Sequence, residues 1–188
     1  MNPLTQLIRD DMKPALGVTE PGAIAFAVAK AKAQVGGSVR RVELRLNSGM
    51  YKNAFTCGIP GSTHVGNLYA AALGAVGADA EKGLECLDGI TEDQQRQAEA
   101  LVQQGRIHAV MSKVTSRIEI EADVETDQGS ATVIIQDSHT NITQIRVNGK
   151  VTFQKEAPAC VTEEEAEPLI HRYTLAQLVE YIETVPLE

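Results

Sequence analysis

The sequence contains no tryptophan, and its aromatic residues are limited to 3 Phe and 4 Tyr among 188 residues. A core with so few rings has to be built from Val, Ile, Leu and Ala, so its alanine-rich helices must pack closely. The sequence also has no apolar run near the roughly 20 residues that span a bilayer, and charges occupy positions where a signal peptide would be apolar. We therefore expect a cytoplasmic protein without a membrane segment.

Cysteine and positive charge are scarce as well. Cys57, Cys86 and Cys160 form no C-x-x-C pair, which is typical of a reducing compartment and supplies no metal-ligand spacing. We interpret them as free thiols and assign no metal ligand. The formal net charge is −8, and an acidic surface offers no counter-charge to nucleic acid or an anionic membrane. The partner is then a small metabolite or another protein.

The periodicity of apolar residues predicts the fold. A period near 3.6 predicts helices at about 4–12, 20–35, 67–76, 92–104 and 174–183. Alternation predicts strands at about 42–46, 118–124, 131–136, 142–147 and 151–154, with Asn148-Gly149 as the turn of a hairpin. We predict one domain over residues 1–188 with an α+β fold, in which alanine-rich helices pack on one face of a mainly antiparallel sheet. The acidic, proline-bounded residues 157–167 are predicted to form a surface loop.

The stretch Thr19-Glu20-Pro21 leads into an alanine-rich apolar run and predicts the start of a helix. The free N–H groups and the positive dipole end of such a helix suit a carboxylate or phosphate of a small ligand. The alternative is a plain N-cap with no ligand.

Two further segments carry groups suited to chemistry. The glycine-rich residues 47–66 include Lys52, Asn53, Gly61 and Ser62, and they match neither a phosphate loop nor a dinucleotide motif, which argues against a nucleotide. His139 lies at the junction of two predicted strands, where an imidazole is rigidly mounted for proton transfer. The alternatives are a connecting loop and a turn, since Ser, Thr and Asn are favoured in turns without any catalysis.

Several blocks of the sequence resemble the L-cysteine desulfidase family, the serine-dehydratase-alpha-like proteins. Its Gly-Cys-Thr-Glu-Pro signature corresponds to residues 17–21. Further blocks follow in the family's order, namely Tyr51-Lys52-Asn53, Ile59-Pro60-Gly61-Ser62, the alanine-rich residues 70–75, Ser138-His139-Thr140-Asn141-Ile142 and residues 173–178. The resemblance covers essentially the whole chain but only the N-terminal half of a family member.

The resemblance implies a lyase that removes hydrogen sulfide or water from L-cysteine or L-serine and leads to pyruvate and ammonia. It implies an iron–sulfur cluster of the 4Fe–4S type that acts as a Lewis acid, without pyridoxal phosphate. His139 or Glu20 would take the α-proton. The substrate-binding residues carried over are Thr19, Lys52, Asn53, Gly61, Ser62, Thr140 and Asn141.

One departure from the family pattern bears on the cofactor. Val18 stands where the signature has cysteine, and a valine cannot ligate iron. We therefore expect this chain alone to hold no cluster and to be inactive without a C-terminal catalytic half or subunit. Two alternatives remain, a cluster-less amino-acid-binding regulatory domain and a structural or assembly domain. The expected partners are a small amino acid and the missing half, with homo-oligomerisation possible and with no nucleic acid or membrane.

Overall fold

The computed structural model describes residues 2–156 and 168–186. Its contacts divide the chain into two compact units, Pro14–Lys155 and a smaller unit formed by Met1–Lys13 with Glu156–Glu188. The prediction of a single domain over the whole chain stays a prediction. The loop predicted at 157–167 and Cys160 lie outside the described residues.

The larger unit contains four helices and a six-stranded sheet. The helices are α2 (Thr19–Val35), α3 (Ser48–Phe55), α4 (Asn67–Val76) and α5 (Glu92–Gln103), with a short 3₁₀ turn at Gly83–Glu85. The strands are β1 (Val39–Leu46), β2 (Ile107–Met111), β3 (Glu119–Thr126), β4 (Ser130–Gln136), β5 (Ile142–Val147) and β6 (Lys150–Gln154). Their order in the sheet is β2-β1-β3-β4-β5-β6, and all neighbours are antiparallel except β1 and β2.

The predicted α+β fold is therefore confirmed, with helices packed on one face of a mostly antiparallel sheet. The inward residues of β1 and β3 are buried, while their outward residues are charged and partly exposed, as alternation requires. On the outer face, Arg45 forms an ion pair with Glu121 of β3 at 3.1 Å. The hairpin turn is confirmed too, because Asn148 and Gly149 both have positive φ, 49° and 78°.

The core depends on a close approach between α2 and α4. Gly74 of α4 faces the backbone of Ala25 of α2, and a Cβ at Gly74 would stand 2.5 Å from the Ala25 carbonyl oxygen. Small residues line both helices at this contact, since Ala25, Ala70 and Ala71 are fully buried. Alanine and glycine thus supply the tight packing that the shortage of aromatic residues requires.

The smaller unit contains α1 (Pro3–Asp11), a 3₁₀ turn at Leu169–Arg172 and α6 (Leu175–Thr184). The hydroxyls of Thr5 and Tyr181 join α1 to α6 at 2.8 Å. Thr174 caps α6 through a capping box with Gln177, as its place before the apolar run predicted. Among the described residues, none of the helices has the length and apolar composition to span a bilayer.

Candidate functional site

The three segments singled out in the sequence all lie at one end of the sheet. Strands β1 and β4 are each antiparallel to β3, so they run in the same direction. The last residue of β1, Leu46, and the last residue of β4, Gln136, therefore lie at the same end of the sheet. Helix α2 joins the start of β1 through a short connection, so its own N-terminus lies at the opposite end of β1. The start of α2, helix α3 after β1 and the β4–β5 turn therefore share this end.

The N-terminus of α2 differs from the sequence prediction. The helix begins at Thr19, so Val18 is the N-cap residue and Pro21 occupies the third helical position rather than the first. The placement of Pro21 at the first helical position is therefore wrong, and no side chain caps this helix. The N–H groups of Thr19 and Glu20 belong to the first turn, which has no intrahelical acceptor, and they remain available to an anion.

Glu20 and Asn53 meet at this end of the sheet. The side-chain amide of Asn53, in the last turn of α3, donates to Oε1 of Glu20 at 3.1 Å. The Thr19 hydroxyl donates to the other carboxylate oxygen at 3.5 Å. Glu20 is half-buried whereas Lys52 and Asn53 are exposed, so the pair sets a carboxylate, an amide and a neighbouring ammonium group at the edge of solvent.

Gly61 and Ser62 hold their loop against α5. The Ser62 hydroxyl donates to Oε1 of Gln95 at 3.2 Å, and Nε2 of Gln95 donates to the Gly61 carbonyl at 3.3 Å. Gly61 also adopts a positive φ of 74°, which favours glycine there. These contacts account for both residues as parts of a tethered loop, and the binding role expected for them stays a prediction.

The β4–β5 turn carries His139, Thr140 and Asn141. The Asn141 amide donates to the Gln136 carbonyl at 2.9 Å, and Lys155 donates to Oδ1 of Asn141 at 2.6 Å, so Asn141 closes the turn. His139 and Thr140 are half-buried. The described residues include no hydrogen bond from His139 to Glu20 or Lys52, and the catalytic role expected for His139 stays a prediction.

An ion pair that the sequence did not single out lies beside this turn. Arg117 contacts Asp137 through two nitrogens. The hydrogen bond from Arg117 lowers the pKa of Asp137 below its ordinary value, and the same bond raises the pKa of Arg117. Asp137 has a φ of 69°, a conformation that Asp tolerates better than most residues. The carboxylate of Asp137 lies two residues before His139 in the chain, and Arg117 balances its charge.

A buried asparagine at the end of β1 was also missed. Asn47 is 1% exposed, and its side chain donates to the Thr115 carbonyl at 2.9 Å and accepts from the Glu119 N–H at 3.0 Å. Its amide thus fixes the corner between β1 and α3 to the segment before β3. The only signal in the sequence was an asparagine directly after an alternating strand, which also suits an ordinary turn.

The donors present in the described residues do not fit an iron–sulfur cluster. These residues contain no group of three or more His, Cys, Asp or Glu placed to hold a metal ion. Cys86 is fully buried, its thiol donates to the Gly22 carbonyl at 3.6 Å, and burial raises its pKa to about 12. Val18, the position that corresponds to the signature cysteine, carries an aliphatic side chain that is 46% exposed.

Several cavities open on the described residues, and four of them are well formed. One is a groove of the smaller unit between α1 and α6, and three lie on the larger unit. Glu20, Lys52 and His139 line none of these four. The contact between Glu20 and Asn53 brings two of the three segments together.

Comparison with known proteins corrects the family resemblance. The chain is 39% identical over 155 residues to a UPF0597 protein of Clostridium botulinum, covering 82% of this chain and 36% of that protein. It is 38% identical over 194 residues to the UPF0597 protein YhaM of Escherichia coli, covering 99% of this chain and 44% of YhaM. No family model and no solved structure matches. These relatives carry the name UPF0597, so the assignment to the L-cysteine desulfidase family is wrong. The chain spans less than half the length of either relative.

Proposed function

We propose that this chain forms one side of the substrate site of a lyase that removes hydrogen sulfide or water from L-cysteine or L-serine. The other side would come from polypeptide of the kind that makes up the remaining length of the UPF0597 relatives. The observation that carries the proposal is the hydrogen bond between Asn53 and Glu20, which joins the uncapped start of α2 to the end of α3. A carboxylate, an amide, an ammonium group and free N–H groups then lie within one short stretch of surface.

An amino acid has groups that match this stretch. The substrate carboxylate would be held by the N–H groups of Thr19 and Glu20 and by the ammonium group of Lys52. Asn53 would orient the bound molecule. The Glu20 carboxylate lies at the edge of solvent, where it can approach the substrate ammonium group or accept the α-proton.

The elimination needs no oxidant or reductant, because the products contain the same atoms and electrons as the substrate. A base of the site, Glu20 or His139, takes the α-proton, the electron pair of that bond forms the double bond between the α- and β-carbons, and the bond from the β-carbon to oxygen or sulfur breaks. The leaving group takes up one proton, equal to the one removed from the α-carbon. The products are 2-aminoacrylate and water or hydrogen sulfide, and hydrolysis of 2-aminoacrylate gives pyruvate and ammonia. Because the described residues do not fit a cluster, any iron would be held by ligands from outside the described part of the chain.

A second candidate function is binding without turnover, as in a regulatory domain. Binding without turnover needs no metal, in agreement with the lack of a metal-holding group among the described residues. Both candidates require the same amino-acid site, and both differ from a purely structural domain in that respect.

Calorimetric titration of the chain with L-serine tests the shared requirement, with D-serine as the stereochemical control. We expect L-serine to bind and D-serine to bind at least tenfold more weakly. The site would contact the carboxylate, the ammonium group and the hydrogen of the α-carbon, and three such contacts distinguish the two enantiomers. Glu20→Gln should weaken L-serine binding, whereas Glu125→Gln, an exposed glutamate of β3, should leave it unchanged. No heat of binding for either isomer would refute the amino-acid site.

A further inference from the structure

We infer that the free edge of β2, together with the apolar cleft beside it, is where the remaining polypeptide of the longer relatives docks, by adding an extended strand to the sheet. The inference rests on the proposed function only in taking that polypeptide as the partner. It does not depend on the reaction.

The edge of β2 is open to strand addition. Within the described residues β2 pairs only with β1, in parallel, and the bonds from Val42 N–H to Arg106 and from Ser112 N–H to Leu46 fix the ladder. Parallel ladders alternate, so the N–H groups of Ala109 and Met111 point away from β1. Those two groups are the donors that an added strand would use.

The two edges of the sheet differ in how they are protected. Natural edge strands avoid unwanted pairing with lysine, proline or other charges. The opposite edge, β6, carries Lys150 within the strand, whereas β2 reads Ile-His-Ala-Val-Met without lysine, arginine, acid or proline, and its neighbouring charges, Arg106 and Lys113, lie outside the strand. The five residues of β2 therefore lack the charge that β6 carries.

An apolar cleft adjoins this edge on the helical side of the sheet. It has a volume of about 210 Å³ and is lined by aromatic and aliphatic side chains together with Asn67, namely Tyr51, Phe55, Val65, Leu68, Tyr69 and Ala109. Phe55 is 60% exposed, and Met111 at the end of β2 is 51% exposed. Exposed apolar residues grouped beside an open strand are typical of an interaction surface.

Asn67 adds a polar contact to the cleft. It is 4% exposed, and its Nδ2 donates to the Tyr51 carbonyl at 3.2 Å, while its Oδ1 accepts no hydrogen bond among the described residues. A large aromatic side chain suits a cleft of this size with apolar walls. Such aromatic anchors dominate the energetics of protein interfaces.

The length of the relatives indicates that the docking partner is their remaining polypeptide. The chain spans 36% of the Clostridium relative and 44% of the Escherichia relative, so more than half of each relative is polypeptide outside the match. An extended segment of that polypeptide has the backbone groups that the β2 edge requires. The alternatives are that a second copy of this chain covers the β2 edge or that a small molecule fills the cleft. The following test distinguishes both from strand addition.

The test uses a chimera in which this chain replaces the matching part of the Escherichia relative YhaM. Hydrogen exchange of the Ala109 and Met111 amides is compared between the chimera and this chain alone, without substrate. We expect exchange at both amides to slow at least tenfold in the chimera. Phe55→Lys and Met111→Lys should remove much of that slowing, whereas Val151→Lys, at an exposed position of β6, should not.

Equal exchange in the chimera and the isolated chain would overturn the inference. So would a dimer of the isolated chain that already protects these amides, because a second copy would then cover the edge. A small molecule that protects them in the isolated chain would likewise contradict strand addition. Slowed exchange in a chimera that binds no L-serine would support docking while the proposed function fails, so the two failures are distinguishable.

Discussion

The side-chain amide of Asn53 donates to the carboxylate of Glu20 across 3.1 Å, and so connects two helices that begin 29 residues apart in the chain. Glu20 lies in the first turn of α2, where a negative charge is favoured by the helix dipole. Asn53 lies in the last turn of α3, directly after Lys52. The contact gives the proposed amino-acid site its position.

Lys52 is expected to recognise the substrate carboxylate. We predict that the chain binds L-serine more tightly than L-serinamide, in which a neutral amide replaces the carboxylate. Lys52→Gln should weaken L-serine binding about threefold to tenfold, corresponding to roughly 0.6–1.4 kcal/mol for one exposed charge, and should leave L-serinamide nearly unaffected. Calorimetry on the four combinations measures this. A Lys52→Gln effect of equal size on both ligands would assign Lys52 a role other than contact with the carboxylate.

Replacing Gly74 with alanine tests the packing of α2 against α4. The added Cβ would meet the Ala25 carbonyl oxygen at 2.5 Å, so the helices have to separate, and we expect a loss of about 1–3 kcal/mol in the free energy of unfolding. Urea denaturation followed by circular dichroism measures it. Gly58→Ala is the matched control, because a Cβ there meets nothing within 4 Å. Equal midpoints for the two variants would contradict the close approach.

The thiols of Cys57 and Cys86 should differ in reactivity. Burial raises the pKa of Cys86 to about 12, so its thiolate is scarce at pH 8, and the side chain is inaccessible in the folded state. Cys57 is half-buried. Iodoacetamide at pH 8 followed by peptide mass spectrometry should therefore modify Cys57 well before Cys86, and denaturation should remove the difference. Rapid native modification of Cys86 would show that the core around Gly22 opens.

Asp123 should make stability fall as pH rises. Burial on the outer face of the sheet raises its pKa, Arg45 opposes this, and Glu121, Glu43 and Glu125 add to it. The pKa of Asp123 is higher in the folded state than in the unfolded state. Its contribution to the free energy of unfolding is therefore fully present below the unfolded pKa and is lost as pH rises through the folded pKa. Asp123→Asn should thus stabilise the chain at pH 7 by a few tenths of a kcal/mol after allowance for solvent screening.

The check on Asp123 is thermal unfolding at pH 3 and at pH 7. The gain of Asp123→Asn over the parent should be larger at pH 7 than at pH 3. Asp127→Asn is an unsuitable control because Asp127 accepts a hydrogen bond from the Ser38 N–H. Asp93→Asn is unsuitable as well, because Asp93 accepts hydrogen bonds from Arg96 and Gln97. The cleaner control is Asp11→Asn at the exposed end of α1, which removes one surface carboxylate and is compared with Asp123→Asn at the same two pH values.

Local signals in the sequence predicted most of the fold. Asn148-Gly149 predicted the hairpin because both residues tolerate positive φ. The helical period predicted α5, whose start Thr91 caps together with Gln94. The alternation of apolar and charged residues predicted β1 and β3, on whose outer face Arg45 pairs with Glu121. Each of these depends on residues close in sequence or on a two-residue period.

The elements that were missed depend on distant contacts. Helix α3 lies in a glycine-containing polar stretch that reads as a loop, and its position depends on Asn47, whose side chain binds Thr115 and Glu119. Strand β2 has only five residues and pairs with β1 in parallel across about 60 residues of chain. The contact of Glu20 with Asn53 could not be predicted for the same reason, because it required the position of α3.

Amide chemical shifts of the isotopically labelled chain during titration with L-serine test the central claim most directly. The account predicts that the largest shifts fall on residues 19–22, on Lys52 and Asn53, and on residues 138–141, and that they saturate together with one dissociation constant. Shifts confined to the groove between α1 and α6 or to the cleft beside β2, or no shifts at all, would contradict the account, and Thr19, Glu20, Lys52 and His139 would then be ordinary helix and turn residues.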